Sequence, residues 1–346
     1  MAEIPTERIK IAWFWKSNAD PFDESQIAKW ERYSDLEIDW IEENYQNKEK
    51  YVDLGDYRVD LKKMVQYRKS DPNRQRPIKR EGIDSRQYIR RDRCCIAEKP
   101  ILLSKSFGQP GDFYENAKFI DDWKNKHEDL CSSRDYSKII EQAAQGIIHE
   151  GCLLEKEFEG QRIAAKLRKV KHENLKQIHD VCVHVYSMNT FLYGLLIEAM
   201  RNEDMSKVDT LGPFSYLLTL NLYDDDKEDS IVYRGCYLSD DMINDYKNSV
   251  GKQIIWSSFT SLSRSEEEAE KFVKNAMFIV RITGHVYCSK YIASLSRYPD
   301  EQEVLLRPVH PMWVVKYEYN NAKKRHVIYL NDDPDYWQKQ SSKSSS

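Results

Sequence analysis

No apolar run in the chain approaches the roughly 20 residues that a membrane-spanning helix needs. The opening Met1-Ala-Glu-Ile-Pro-Thr-Glu7 lacks the charged and apolar regions of a secretory leader. The seven cysteines are odd in number and scattered, and no Asn-x-Ser/Thr sequon occurs. Both absences argue against a secreted disulfide framework. Zinc spacing is missing as well: Cys94 and Cys95 are adjacent, and no histidine cluster accompanies them. That also leaves no RING-like module. Gly146 and Gly151 keep the gap of a phosphate-binding loop but continue into Cys152-Leu153, where Lys-Ser/Thr is required. A net charge of −4 excludes binding to nucleic acid through bulk charge. The expectation is an intracellular protein, cytoplasmic or nuclear, with no metal, no membrane segment and no specific nucleic-acid partner. Cys152, Cys182, Cys236 and Cys288 are expected as buried free thiols.

What is present divides unevenly. The 346 residues exceed one average domain, and 40% hydrophobic against 32% charged residues supplies core material under a wet surface. From Arg68 to Arg93 there are ten Lys or Arg against four Asp or Glu, a local basic excess. Residues 9–80 look like one small unit. Ile11-Ala-Trp-Phe-Trp15 is an aromatic strand signal, and Ile38, Ile41 and Tyr45 recur at helical spacing. The alternating stretches Tyr51–Gly55 and Tyr57–Leu61 form a hairpin about a Gly-Asp turn. Trp13, Trp30 and Glu42, with the series Tyr57…Met64-Val-Gln66…Arg76…Lys79-Arg80, resemble the WWE family over some seventy residues. The best-studied members of that family bind poly-ADP-ribose. The resemblance implies that Trp15, Tyr57, Gln66 and Arg76 line an ADP-ribose pocket. Such residue types suit it: an aromatic face stacks on adenine, an amide pairs with a base or ribose edge, and a guanidinium forks onto phosphate. Trp13 and Trp30 read as core.

Residues 86–118 read as a solvated linker, because Arg86 to Arg93 is mostly charged and Phe107-Gly-Gln-Pro-Gly111 is turn chemistry. From Phe119 to Met205 the pattern is helical; His179 and His184, five apart, fit packing or surface roles better than a shared site. After the acidic loop Asp224–Asp229 the texture changes to strands, at Ile231–Tyr237, Gln253–Phe259, Met277–Ile282, Glu303–Val309, Met312–Tyr319 and His326–Leu330. Two short helices interrupt them, capped by Ser239 and by Ser263 or Ser265. Helices followed by strands give an α+β domain, and the Ser341–Ser346 tail is expected to be disordered.

Three features of the strand-rich half carry chemistry. Arg234 lies in an apolar strand, where an unpaired charge would be costly. Ser258 to Ser263 reads as a strand ending in hydroxyls. Glu301 and Glu303, two apart, would project to the same side of a strand mouth, although adjacent like charges destabilise a sheet. Together with the helical lead-in Cys182…Tyr186-Ser-Met-Asn-Thr-Phe-Leu-Tyr193, the set Val232-Tyr-Arg-Gly235, Phe259-Thr-Ser-Leu-Ser263 and Tyr298-Pro-Asp-Glu-Gln-Glu-Val-Leu305 resembles the arginine-specific ADP-ribosyltransferases. Their motifs are Arg, Ser-x-Ser and Glu-x-Glu. Leu262 and Gln302 stand at variable middle positions.

This resemblance implies a domain layout of 1–85 WWE, 86–118 linker, 119–335 transferase and 336–346 tail. It also implies a fold of WWE half-barrel with one helix, helical lead-in and two-sheet β-core. The implied activity is transfer of ADP-ribose from NAD+ to protein arginines, with Arg234 on the phosphates, Ser261 steadying the nicotinamide ribose and the catalytic glutamate, and Ser263 among the cofactor-binding residues. Glu303 would hold the ribose 2′-hydroxyl and stabilise an oxocarbenium-like transition state. Glu301 would grip and deprotonate the acceptor guanidinium. Tyr298 is a candidate wall for the acceptor side chain or a turn-packing aromatic. The implied partners are arginine-bearing acceptors and, through the WWE unit, poly-ADP-ribosylated proteins. Two alternatives stand beside this reading: an NAD+ glycohydrolase, and a poly-ADP-ribose reader whose transferase fold is inert.

Overall fold

The computed structural model describes residues 9–90, 99–102, 117–220, 222, 229–283, 289–337 and 339. Cys94, Cys95, Cys288, the Phe107–Gly111 turn and the Ser341–Ser346 tail lie outside them.

The N-terminal unit is an antiparallel sheet with one helix. Its elements are β1 (Ile9–Lys16), β2 (Trp30–Arg32), α1 (Asp35–Gln46), β3 (Tyr51–Leu54), β4 (Tyr57–Asp60), β5 (Val65–Arg68) and β6 (Asp71–Asp84), in spatial order β2-β1-β6-β5-β4-β3. The long β6 pairs with β5 through its first half and with β1 through its second, which bends the sheet around α1. Ser34 caps α1 in a reciprocal box with Glu37, so the helix starts three residues before its apolar periodicity does. Trp13, Tyr33, Ile38, Ile41, Val52 and Val59 form the core. Gly55, at φ +66°, allows the tight β3–β4 turn.

The second unit opens with a helical layer: α2 (Lys118–Lys126), α3 (Glu128–Ser133), α4 (Tyr136–Leu153), α5 (Glu157–Lys169), α6 (Leu175–Ser187), α7 (Phe191–Arg201) and α8 (Val208–Thr219). Gly146 serves packing rather than phosphate binding: a Cβ there would stand 2.0 Å from Thr210 O on α8. His179 is buried, and burial pushes its imidazole down to about 4. His184 Nδ1 lies 3.0 Å from Leu295 O. Among the described residues no helix is long and apolar enough to cross a membrane.

The strand layer comprises β7 (Ile101–Leu102), β8 (Ser230–Cys236), β9 (Gln253–Ile255), β10 (Thr260–Ser263), β11 (Ala276–Ile282), β12 (Ser289–Tyr291), β13 (Glu303–Leu306), β14 (Met312–Asn320) and β15 (Arg325–Asn331), with α9 (Asp240–Asn248) and α10 (Glu266–Glu270) between them. Their order is β12-β13-β10-β8-β11-β15-β14-β9-β7. The β10–β8 seam of this nine-stranded sheet has a single registered pair, Ser263 with Tyr233.

Three sequence expectations need correction. The hydroxyl stretch does not end the strand that begins at Gln253; Thr260–Ser263 is a separate strand between β13 and β8. Cys152 is exposed near the solvent end of α4, whereas Cys182 and Cys236 are buried. The linker is not simply solvated: Tyr88 and Arg90 are buried, and Ile101–Leu102 pairs with β9. Tyr88 and Ile89 interrupt the charged run, and Tyr88 stacks on Tyr298 with ring centroids 5.5 Å apart.

Candidate active site

The two glutamates converge, but not by strand periodicity. Pro299–Glu301 is a 3-10 turn, Gln302 is left-handed at φ 46°, and β13 begins only at Glu303. A non-glycine residue in that conformation costs about 1 kcal/mol, and the neighbouring strand holds it there. Arg264 N–H donates to Gln302 O at 3.0 Å, and Ser263 Oγ donates to Glu301 O at 2.8 Å. Ser263 therefore acts on the backbone of the turn. The carboxylates approach from two directions, one from the turn and one from the strand end.

Strand register assembles the remainder. Ser263 pairs with Glu303 and Ser261 with Leu305, so these side chains share one face. Leu305 joins the helical core, while Leu262, Val304 and Leu306 join the core on the other face. Arg234 is buried on β8, and its Nη1 donates to Ser261 O at 2.7 Å. Ser261 Oγ is buried and has no hydrogen-bond partner among the described residues. An orphaned hydroxyl beside a guanidinium fits a ligand rich in phosphate and ribose oxygens.

Glu301 and Glu303 are 1% and 0% exposed. Between them sits Arg90, itself fully buried. Its Nη2 is 2.6 Å from Glu303 Oε2 and 3.7 Å from Glu301 Oε2, and its backbone N–H donates to Glu301 Oε1 at 3.0 Å. Burial opposes the charge on Arg90, but Glu303 and then Glu301 outweigh it, and the guanidinium titrates above its ordinary range. Its plane lies over Tyr193, 4.8 Å from the ring centroid.

Tyr298 does not form an open wall. It is buried, and its hydroxyl donates to Asp35 at 2.8 Å; it packs the turn, the second of its two readings. Arg234, Ser261, Ser263, Glu301 and Glu303 thus come together on β8, on β10 and at the turn into β13. Arg90 and Asp35 were missed, because neither carries a local signal beyond membership of a charged stretch.

The model of the family described as NAD:arginine ADP-ribosyltransferase matches residues 115–336. The chain belongs to this family. A second family model, the WWE domain, matches residues 11–80. Solved structures similar to the chain include ADP-ribosyltransferases and a bacterial effector, at low identity. HopU1 of Pseudomonas syringae pv. Tomato DC3000 is 16% identical over 49% of this chain and 86% of its own, with TM-score 0.40. The type III effector XopAI from Xanthomonas axonopodis pv. citri is 16% identical over 63% and 93%, with TM-score 0.43. The eukaryotic mono-ADP-ribosyltransferase ART2.2 is 18% identical over 67% and 94%, with TM-score 0.40. No curated protein sequence matches the chain.

In the WWE domain the name-giving residues are structural. Trp13 Nε1 donates to Glu42 at 2.9 Å, and Arg80 forks onto the same carboxylate at 2.9 and 2.7 Å. The Arg80 bonds hold Glu42 down to about 2. Trp13 is buried, while Trp30 is only half-buried under Lys79. Trp15, Tyr57, Gln66 and Arg76 all line one cavity of about 670 Å³. Gln66 Oε1 accepts from Tyr33 Oη at 2.6 Å, and Arg76 Nη1 donates to Lys16 O and Asn18 O at 3.0 and 2.7 Å. Transferase residues complete this cavity: Lys156, Glu159, Asn189, Thr190 and Phe191.

Burial and the nearby Glu37 push Glu159 up to about 7 from its ordinary 4.5, against the pull of Lys156. Between those values the folded state holds a proton that the unfolded chain has lost, so stability falls as pH rises. Glu159→Gln is expected to flatten the melting temperature between pH 5 and 8. A wild-type melting temperature insensitive to pH over that range would contradict the assignment.

Proposed function

We propose that the protein transfers ADP-ribose from NAD+ to arginine side chains of proteins, releasing nicotinamide, and that its WWE domain docks it to ADP-ribosylated partners. The observation that carries the arginine preference is the grip of the buried Glu301–Glu303 pair on a guanidinium, that of Arg90. With the NAD+ ribose on Glu303, Glu301 is the carboxylate left to take a guanidinium arriving from a substrate.

NAD+ brings the ADP-ribosyl group and a leaving group whose departure places positive charge on the ribose. Arg234 and Ser261 would hold its phosphates and nicotinamide ribose, with Ser263 fixing the turn that carries Glu301. Glu303 accepts from the ribose 2′-hydroxyl and stabilises positive charge at C1′. Glu301 orients the acceptor guanidinium and takes its proton as the nitrogen–C1′ bond forms and the bond to nicotinamide breaks with its electron pair. Tyr298 serves as a positioning residue beneath the turn. The WWE cavity, with Trp15 and Tyr57 as stacking faces and Arg76 as cation, is the site for an ADP-ribose unit.

The test supplies labelled NAD+ with agmatine, a small guanidino acceptor, and with lysine- and cysteine-type acceptors in parallel. Label is expected on agmatine only. Label on another acceptor, or nicotinamide release that ignores agmatine, would replace the arginine reading by another transferase or by a hydrolase.

A further inference from the structure

We propose that Arg90 is an intramolecular occupant of the catalytic carboxylate pair, so that segment Asp84–Arg90, clasped by the WWE domain, holds the transferase in an autoinhibited state; this rests on the assignment of Glu301 and Glu303 made above.

Arg90 takes both positions that catalysis requires. Its Nη2, 2.6 Å from Glu303 Oε2, stands where the ribose 2′-hydroxyl would bond, and its backbone N–H occupies Glu301 Oε1 at 3.0 Å. NAD+ and an acceptor arginine would therefore each compete with it. The arrangement is that of a plug rather than a built-in acceptor, because an arginine held on Glu303 excludes the sugar it would attack. Nor does it look like a fully satisfied structural ion pair. Among the described residues Arg90 Nε and Nη1 find no hydrogen-bond partner, whereas a guanidinium committed to structure has five donors to place.

The WWE domain supplies the clasp. Arg32 Nη2 donates to Ile89 O at 2.9 Å, and the Arg32 guanidinium lies 4.4 Å from the Tyr88 ring centroid. Tyr88 Oη donates to Asp35 at 2.9 Å. Lys271 of the transferase holds Arg86 O at 2.8 Å. Between residues 85–89 and the 297–301 turn only about 10 Å³ is left, room for about one water. Arg32 also borders the WWE cavity, so an anionic ADP-ribose unit bound there would compete for the guanidinium that holds Ile89. Binding releases the plug only through such differential contacts.

If nine molecules in ten are closed, apparent affinity for NAD+ is about tenfold weaker than in the open form. Full-length wild type, Arg90→Glu and Arg90→Ser should be compared, with Arg86→Ser as a control on the same segment. Thermal melts confirm folding. The Arg90 variants are expected to gain about tenfold in agmatine transfer at sub-saturating NAD+ and to bind NAD+ about tenfold tighter by calorimetry, with Arg86→Ser near wild type. A purely structural arginine would produce loss, not gain. Equal or lower transfer and equal NAD+ affinity in the Arg90 variants would overturn the plug while leaving the transferase reading intact. No label transfer by any variant would instead overturn the transferase reading, and NAD+ affinity would then decide the plug alone. Poly-ADP-ribose oligomers should raise wild-type but not Arg90→Glu activity; no rise removes the WWE cavity from the release step.

Discussion

Glu303→Gln is expected to lose both arginine transfer and NAD+ hydrolysis, whereas Glu301→Gln should lose transfer and keep hydrolysis. The division follows from the charge each carboxylate faces. Glu303 lies opposite Ser263 at the start of a strand, where the proposed mechanism develops positive charge on the sugar. Glu301 sits on the preceding turn, where the proposed mechanism places the acceptor guanidinium. Removing a preorganised electrostatic contact of this kind costs about 10²–10³ in rate, and losing a general base costs about 10²–10⁴. The measurement is nicotinamide release with and without agmatine for each variant, repeated in the Arg90→Glu background so that the plug does not mask a residual rate. Identical behaviour of the two variants would refute the separate roles.

The second large effect concerns stability. Asp35 is fully buried at the start of α1 and accepts from Tyr88 Oη at 2.9 Å, Tyr298 Oη at 2.8 Å and Asn189 N–H at 2.7 Å. It ties the WWE domain, the Asp84–Arg90 segment and the turn before Glu301 to one carboxylate. Asp35→Ala leaves three buried donors without their acceptor. At about 1–3 kcal/mol each, and less than additive within one network, the loss should reach about 3–5 kcal/mol. Asp39→Ala, which breaks a half-exposed pair with Arg297 at 2.6 Å, should cost about 1 kcal/mol or less. Urea denaturation checks both. Asp35→Ala is also expected to split the unfolding curve as the two domains uncouple. Similar midpoints for the two variants would show that the Asp35 network carries little.

Much of the fold was legible because local chemistry and tertiary structure agree. Ser239 and Ser265 cap the helices that follow them. Apolar alternation placed β8, β11, β14 and β15 within about two residues of their observed ends. The site was harder. The Arg, Ser-x-Ser and Glu-x-Glu residues are identifiable as a set, yet strand alternation does not bring the two glutamates together. A left-handed Gln302 after a 3-10 turn has no distinctive signature, since it depends on bonds from Ser263 and Arg264 on another strand.

By itself the sequence determined most helices and strands and marked the candidate site residues, because capping, periodicity and residue type act within a few positions. Only the tertiary structure decided which charges meet. Arg90 pairs with glutamates 211 and 213 positions away, and Lys156 and Glu159 close a cavity whose aromatic faces belong to the other domain. An arginine in a charged run reads the same whether water or two buried carboxylates surround it. The difference lies in desolvation and long-range Coulomb energy, which exist only after the chain has folded.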